Sequence, residues 1–379
     1  MKLLNILFLS MITLACQAQT HQTEKRPIDL HDGIKTATMA SVGINADTIG
    51  KLNGKLNSGY YINIHSLLIY KNGALVYETY LPGQDEKWGE STGLTKHGIN
   101  DLHDLRSVTK SIVSACIGIA INQGKIKSTD QKVFDFFKEY AALDTGLKQQ
   151  LTIGHLLSMT SGLRWNENVP YNNPENSEIQ MTKSDDPVKF ILSQPVIIKP
   201  GTKWNYNGGA VQLLASILER ATGKTLDAFA NENLFTPLGI KSFYWYKFPG
   251  TNEPAAASGL RLRSRDVLKF AIMYQQKGIW EGKQIIPAAW VEQSFNKSIT
   301  IAPDLGYGYL FWKLYPPAAY NVPNLTVAVG NGDERIFFDN KHKLIVVITA
   351  GNYNLPSNFY GQTNSTATLK DYIYPSFIK

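Results

Sequence analysis

The run Ile112-Val113-Ser114-Ala115-Cys116-Ile117-Gly118-Ile119-Ala120-Ile121 constrains this chain more than any other stretch, because it is apolar on every side. A helix without a polar face must be buried all round, so the fold has to wrap around it. Arg106-Ser107-Val108-Thr109-Lys110-Ser111 leads into it and places Ser107 and Lys110 three residues apart, on one face of the helix start. A serine held there can be a nucleophile. The lysine amine can take its proton, the helix dipole favours the developing negative charge, and burial lowers the lysine pKa. The competing reading is structural, with Ser107 as a helix N-cap and Lys110 reaching to solvent.

Ser-x-x-Lys recurs at Ser294/Lys297 and Ser376/Lys379, so the pattern alone decides nothing. Only the first copy opens a long apolar helix, where a polar pair would be desolvated. The 379 residues are 43% hydrophobic and 11% aromatic, enough for a large core in one domain or two lobes. The net charge of +7 is scattered, without a basic block, which argues against nucleic-acid binding.

Met1-Lys2, the apolar run Leu3 to Ala15 and Cys16-Gln17-Ala18-Gln19 read as an export signal over residues 1–20. Cys16 follows Leu14-Ala15 as in a lipoprotein signal, although Thr13 stands where leucine is usual; cleavage after Ala18 is the alternative. The chain is therefore expected to be exported, periplasmic or lipid-anchored to the cell envelope through Cys16, its sole membrane contact. Cys116, in the apolar run, has no partner in a mature chain and reads as a core residue.

Along the chain, Ala46 to Ser58 reads as a helix with Asp47 at its N-cap. Leu67-Leu68-Ile69-Tyr70 and Ala74-Leu75-Val76-Tyr77 flank an Asn72-Gly73 hairpin turn, and residues 82–104 read as a Gly-rich loop leading to Ser107. His155 sits among Ile153, Leu156 and Leu157 and reads as a structural histidine. Residues 163–187, with Trp165 and Tyr171, are too long for a tight connection and suit a specificity wall. Tyr206 lies in a turn before a helix from Ala210 to Ala221. Strands are predicted at Tyr307 to Trp312, Leu325 to Val329, Arg335 to Asp339 and Leu344 to Thr349, and a terminal helix over residues 365–379. Strands, then helices, then strands joined by short turns imply an antiparallel sheet and a helical lobe with a cleft between them. The divisions are an α/β lobe over about 21–106 and 298–379 and a helical lobe over about 107–297.

Taken in order, Ser107-x-x-Lys110, Leu156-Leu157-Ser158-Met159-Thr160-Ser161-Gly162-Leu163, Tyr206-x-Gly208 and Gly330-Asn331-Gly332 resemble the serine β-lactamase and penicillin-binding family. The nearest branches are class C-like esterases, D-aminopeptidases and 6-aminohexanoate-oligomer hydrolases. The resemblance spans nearly the whole mature chain. It implies an α/β (α+β) fold, with an antiparallel sheet flanked by helices and an all-helical lobe, and an acyl-enzyme mechanism. Two positions depart from the family pattern. Gly208 stands where the tyrosine motif usually ends in asparagine, and Asn331 where the late motif usually has lysine or histidine, so a cation for a substrate carboxylate is missing unless Arg335 supplies it.

The resemblance implies a serine hydrolase of amide or ester bonds, acting on a small-molecule or peptide-like substrate. Ser107 is the nucleophile, Lys110 a neutral or proton-sharing partner, and Tyr206 the proton carrier. Backbone N–H groups of Ser107 and of the strand Asn331-Gly332-Asp333 would hold the oxyanion, with Gly208, Trp165 and Tyr171 at the substrate. The alternatives are β-lactamase or D-alanyl peptidase activity, or a non-catalytic binding or sensor module on the same fold. No cofactor and no metal is expected, because the seven histidines show neither His-x-x-x-His nor His-Glu-x-x-His spacing.

Overall fold

The computed structural model describes residues 26–249, 251–355 and 365–378; the expected leader with Cys16 lies outside the described residues. Helix α1 (Ala46–Asn57) is capped by Asn45, whose side chain accepts from Thr48 N, and the expected cap Asp47 lies in its first turn. Strands β1 (Ile64–Lys71) and β2 (Ala74–Tyr80) meet at Asn72-Gly73, with φ of 50° and 91°, the left-handed pair a tight hairpin needs. The stretch expected as loop instead contains a ribbon of β3 (Gly83–Lys87) and β4 (Glu90–Thr95). Strand β5 (His103–Asp104) then joins β6 (Tyr244–Trp245) and β7 (Leu260–Leu262) in a small sheet with β7 central. Alternation is too weak in Gly83–Thr95 to reveal strands that are mostly solvated.

Helix α2 (Thr109–Asn122) is the predicted apolar helix, and every residue from Thr109 to Ala120 is buried. Around it lie α3 (Ile153–Leu157), α4 (Ser177–Thr182), α5 (Pro187–Ser193), α6 (Gly208–Thr222), α7 (Leu226–Ala230), α8 (Ser264–Gln275) and α9 (Ala288–Asn296), and α10 (Ser365–Thr368) opens the terminal helical segment. Gly118 lets the Trp290 indole lie against α2, since a Cβ there would come within 2.5 Å of the ring. His155 is structural in geometry: Thr152 and His155 form a reciprocal capping box on α3.

After a short hairpin of β8 (Ile279–Trp280) and β9 (Lys283–Gln284), the chain adds β10 (Ile299–Ala302), β11 (Leu305–Gly308), β12 (Phe311–Leu314), β13 (Leu325–Gly330), β14 (Glu334–Asp339) and β15 (Leu344–Ala350). The single strand expected at Tyr307 to Trp312 is a hairpin, because Tyr309 and Leu310 turn at φ of 52° and 64°. The main sheet has eight antiparallel strands in the order β10-β11-β12-β13-β14-β15-β1-β2. Alternate residues enter two cores. Leu68, Ile336, Phe338 and Val347 face the core built around α2, while Leu67, Phe337, Val346 and Ile348 face α1 and the C-terminal helices. Both faces are covered, as the period of two requires for a sheet that is apolar throughout.

Several charges are nevertheless buried on these strands, Lys313 among them. Lys313, on β12, donates to the Ser294 carbonyl at 2.6 Å and to Thr326 Oγ1 at 3.1 Å, and burial pushes its pKa down to about 7. A lysine whose folded pKa lies below its unfolded value of 10.5 carries its full penalty below pH 7, and the penalty fades as pH rises towards 10.5. Lys313→Met is therefore expected to stabilise the fold by a few kcal/mol at pH 7. In urea titrations the gain over the native chain should shrink between pH 7 and 10; a gain that does not change with pH would mean that Lys313 is charged in the folded state.

Candidate active site

Ser107 sits in the 3₁₀ turn Arg106–Val108 that runs directly into α2, so it and Lys110 share the buried start of the helix. Lys110 Nζ donates to Ser107 Oγ at 2.9 Å and to the Ala257 carbonyl at 2.8 Å. It lies 4.9 Å from the centroid of the Tyr206 ring. Tyr206 arrives on the turn before α6, whose N-cap Asn207 accepts from Ala210 N. The N-cap and solvent-reaching reading fails: Lys110 is 2% exposed, and the Ser107 side chain caps no helix N–H.

Burial would push the Lys110 ammonium down, as expected from sequence, but Tyr206, Glu178 and Glu167 outweigh it and hold the pKa above its ordinary value. Tyr206 is also raised, by burial first, with Lys110 partly opposing. The resting pair is thus an ammonium and a phenol. The correction to the lysine expectation comes from Tyr206 first and then from two carboxylates that the motifs do not include. Burial, then Glu167, pushes the Glu178 carboxyl up to about 8. Glu167 Oε1 accepts from Trp165 Nε1 at 2.5 Å and from the backbone N–H of Gly208, and Ser258 Oγ donates to Glu178 Oε1 at 3.4 Å. Both acids come from the loop marked as a specificity wall, where nothing in the local sequence separates them from solvated glutamates.

The space usually taken by the missing asparagine is therefore filled. A Cβ at Gly208 would stand 2.9 Å from Glu167 Oε1 and 2.9 Å from Glu178 Oε2. Ser107, Tyr171, Glu178, Ser258 and Asn331 line one cleft of about 410 Å³, with Trp88 and Phe248 among its apolar walls. Tyr171 OH points to Glu167 Oε2 at 3.5 Å. Trp165 is buried behind the cleft, its ring where a Cβ of Gly209 would fall.

Asn331-Gly332-Asp333 is the turn between β13 and β14 rather than part of a strand, with Gly332 bridged to Asn352. A Cβ at Gly330 would come within 2.5 Å of the Leu105 carbonyl, so this turn presses on the segment that carries Ser107. Asn331 exchanges side-chain and backbone hydrogen bonds with Asn354 at 2.9 and 2.8 Å. Asp333 is committed elsewhere, to Ser365 and to Arg335 at 2.7 Å. Arg335, the candidate replacement cation, is buried in that pair and does not line the cleft.

Arg106 carries backbone strain, with φ of 47°, immediately before the nucleophile. Such a conformation costs about 1–3 kcal/mol in a residue with a side chain. Its guanidinium is held by Glu86, by Asp104 at 3.5 Å and by the Tyr353 ring, 4.8 Å away. Sequence reading had no signal for Arg106, because a left-handed residue other than glycine is recognised only from its surroundings.

Comparison with known proteins gives this geometry a relationship. A "Putative D-alanyl-D-alanine carboxypeptidase" of Salmonella paratyphi B is 26% identical over 219 residues, 55% of this chain and 50% of the relative, so the chain spans about half the length of the curated relatives it matches. The structure of "Putative 6-aminohexanoate-dimer hydrolase from Bacillus anthracis" aligns with a TM-score of 0.69 at 21% identity, covering 86% of this chain and 81% of that one. EstCE1, "a hydrolase with promiscuous acyltransferase activity", aligns at 0.65 with 17% identity, covering 87% and 96%. At these identities the structural likeness shows the fold. The family model described as Beta-lactamase matches residues 64–366, which is most of the chain and includes Ser107, Lys110 and Tyr206, and the protein belongs to the beta-lactamase family.

Proposed function

We propose that this protein is an exported serine hydrolase that cleaves amide or ester bonds through an acyl-enzyme on Ser107. The observation that carries the reading is the 2.9 Å contact between Lys110 Nζ and Ser107 Oγ at the floor of an open cleft, with Tyr206 against the same ammonium. Once the Lys110–Tyr206 pair has lost one proton, it can accept the proton of Ser107 as Oγ attacks the substrate carbonyl. In this reading, backbone N–H groups of Ser107 and of the Asn331–Asp333 turn hold the oxyanion. The pair then protonates the departing amine or alcohol. It next takes a proton from the water that releases the acyl group, and Ser107 recovers its proton.

The reading suits substrates without a carboxylate, because Asn331 stands where the family's late motif usually has a cation. Arg335 is committed to Asp333, Arg106 is held by Glu86, and the wall carries Lys183 as well as Glu178. The missing motif cation supports the oligoamide and ester hydrolase reading over a β-lactamase, while the names of similar proteins divide between a 6-aminohexanoate-dimer hydrolase, a beta-lactamase and a D-alanyl-D-alanine carboxypeptidase.

Ser107→Ala should abolish release of nitrophenol from short acyl esters and labelling by a fluorophosphonate, with Tm unchanged, while Tyr206→Phe should lower kcat by about 10²–10⁴. Labelling of the native chain without turnover would instead identify a binding module, and full activity of Ser107→Ala would exclude the assignment.

Because surrounding anions keep the proton on Lys110, kcat/KM should rise towards alkaline pH. The limb lies where Glu178 is ionised, so Glu178→Gln should displace it to lower pH. An unmoved limb would separate Glu178 from the catalytic proton.

Restoring the family's asparagine should fail in this chain. Gly208→Asn is expected to cost about 1–3 kcal/mol through crowding against the two carboxylates, and adding Glu178→Ala should recover part of it. Equal Tm for the single variant and the native chain would show that the carboxylates yield the space freely.

A further inference from the structure

Four side chains from separate places in the sequence converge beside the strand that precedes Ser107. His65 on β1, Asp85 on β3, His97 after β4 and His103 on β5 each offer a ligand atom, all within 4.8 Å of one another. His65 Nδ1 lies 2.8 Å from His103 Nε2. Asp85 Oδ1 lies 3.7 Å from His103 Nε2 and 4.0 Å from His65 Nδ1, while its Oδ2 lies 3.9 Å from His97 Nε2. A tetrahedral ion with bonds of about 2.0–2.1 Å separates its ligand atoms by about 3.3–3.4 Å, inside the range spanned here.

The surroundings orient these atoms inward. His103 Nδ1 faces the Asp104 carbonyl at 3.1 Å and Glu334 Oε1 at 3.4 Å, so it carries the proton and Nε2 keeps its lone pair. The opposite edge of His65 is walled by Gly83 and Gly351, where a Cβ would come within 2.5 Å of Nε2 and 2.6 Å of Cε1, and this leaves Nδ1 turned to the cluster. Tyr353 OH donates to Asp85 Oδ1 at 3.0 Å. A metal-free network accounts for only part of this. The His65–His103 contact can be one hydrogen bond, but His97 Nε2 stays buried without a hydrogen-bond partner, its side chain 7% exposed and its ring stacked 3.9 Å from that of His65.

We propose that His65, Asp85, His97 and His103 bind one divalent transition-metal ion. Three imidazoles and a carboxylate in tetrahedral array suit zinc, and four protein ligands close the site against a reacting water, so the role is structural. The ion would tie β1, β3, the segment after β4 and β5 into one body. That body carries Glu86, which holds Arg106, and touches Tyr353 after β15, which bridges Asp85 to the Arg106 guanidinium. None of the four ligands lines the cleft around Ser107. The absence of a local histidine spacing is no obstacle, since the ligands stand 20, 12 and 6 residues apart and meet only through the packing of three separate sheets.

The test is the metal content of the tag-free chain, purified with zinc in the medium and dialysed. About one zinc per chain is expected by mass spectrometry, with a lower Tm after chelation and recovery on adding zinc. Cobalt added to the chelated protein should give the visible absorption of a tetrahedral site. His97→Ala, at the most accessible ligand, should lose the bound zinc, and Glu334→Gln should weaken zinc binding by about 10–100-fold. A native chain that holds less than a tenth of an equivalent and shows neither a cobalt spectrum nor a zinc-dependent Tm overturns the proposal. Zinc retained in full by a folded His97→Ala overturns it as well. Should that variant not fold, the native stoichiometry and cobalt spectrum decide.

Discussion

The structure turns on one buried ammonium. Lys110 Nζ spends its hydrogen bonds on Ser107 Oγ and the Ala257 carbonyl, at the start of a helix that is otherwise apolar and buried. A charge placed there is tolerated only if anions or polar groups surround it. Tyr206, Glu178 and Glu167 are that surrounding, and they reverse the direction in which burial alone would move the lysine. The loop that brings the two glutamates is for this reason part of the site's electrostatics as well as its wall.

The same carboxylates explain why Gly208 can replace a side chain. Glu167 and Glu178 occupy the volume in front of it, and Glu167 takes the N–H that a bare backbone exposes. On the other side of the cleft, Gly330 allows the turn at Asn331–Asp333 to press on the Leu105 carbonyl. Two positions without a Cβ thus let Glu167 and Glu178 pack against Gly208 and the β13–β14 connection pack against Leu105. Both departures from the family pattern replace a side chain aimed at a substrate with groups committed to the protein itself, Gly208 through its N–H to Glu167 and Asn331 through its side chain to Asn354.

Strain and support are also paired. Arg106 holds a left-handed backbone just before the nucleophile, and its guanidinium is gripped by Glu86, Asp104 and Tyr353. Those groups come from β3, β5 and the segment after β15, so the geometry at Ser107 is kept by contacts that reach across the small ribbon to the main sheet. A rigid ribbon is needed for this, although β4 is largely exposed and contributes little to the core.

Periodicity and turn chemistry made much of the fold legible in the sequence. The run from Ile112 to Ile121 had to be a buried helix, Asn72-Gly73 had to turn a hairpin, and the order of four short motifs fixed the family and the α+β architecture. These signals are local, and local physics suffices for them. What escaped was set by groups far apart in the chain: Glu167 and Glu178 around Lys110, the left-handed Arg106, the internal pairing of Arg335, and the meeting of His65, Asp85, His97 and His103. The sequence alone determined that Ser107 and Lys110 share a helix face, because three residues of helix allow nothing else. Only the tertiary structure decided the charge of that lysine, because a pKa depends on how many anions lie within a few ångströms, and chain spacing does not carry that information.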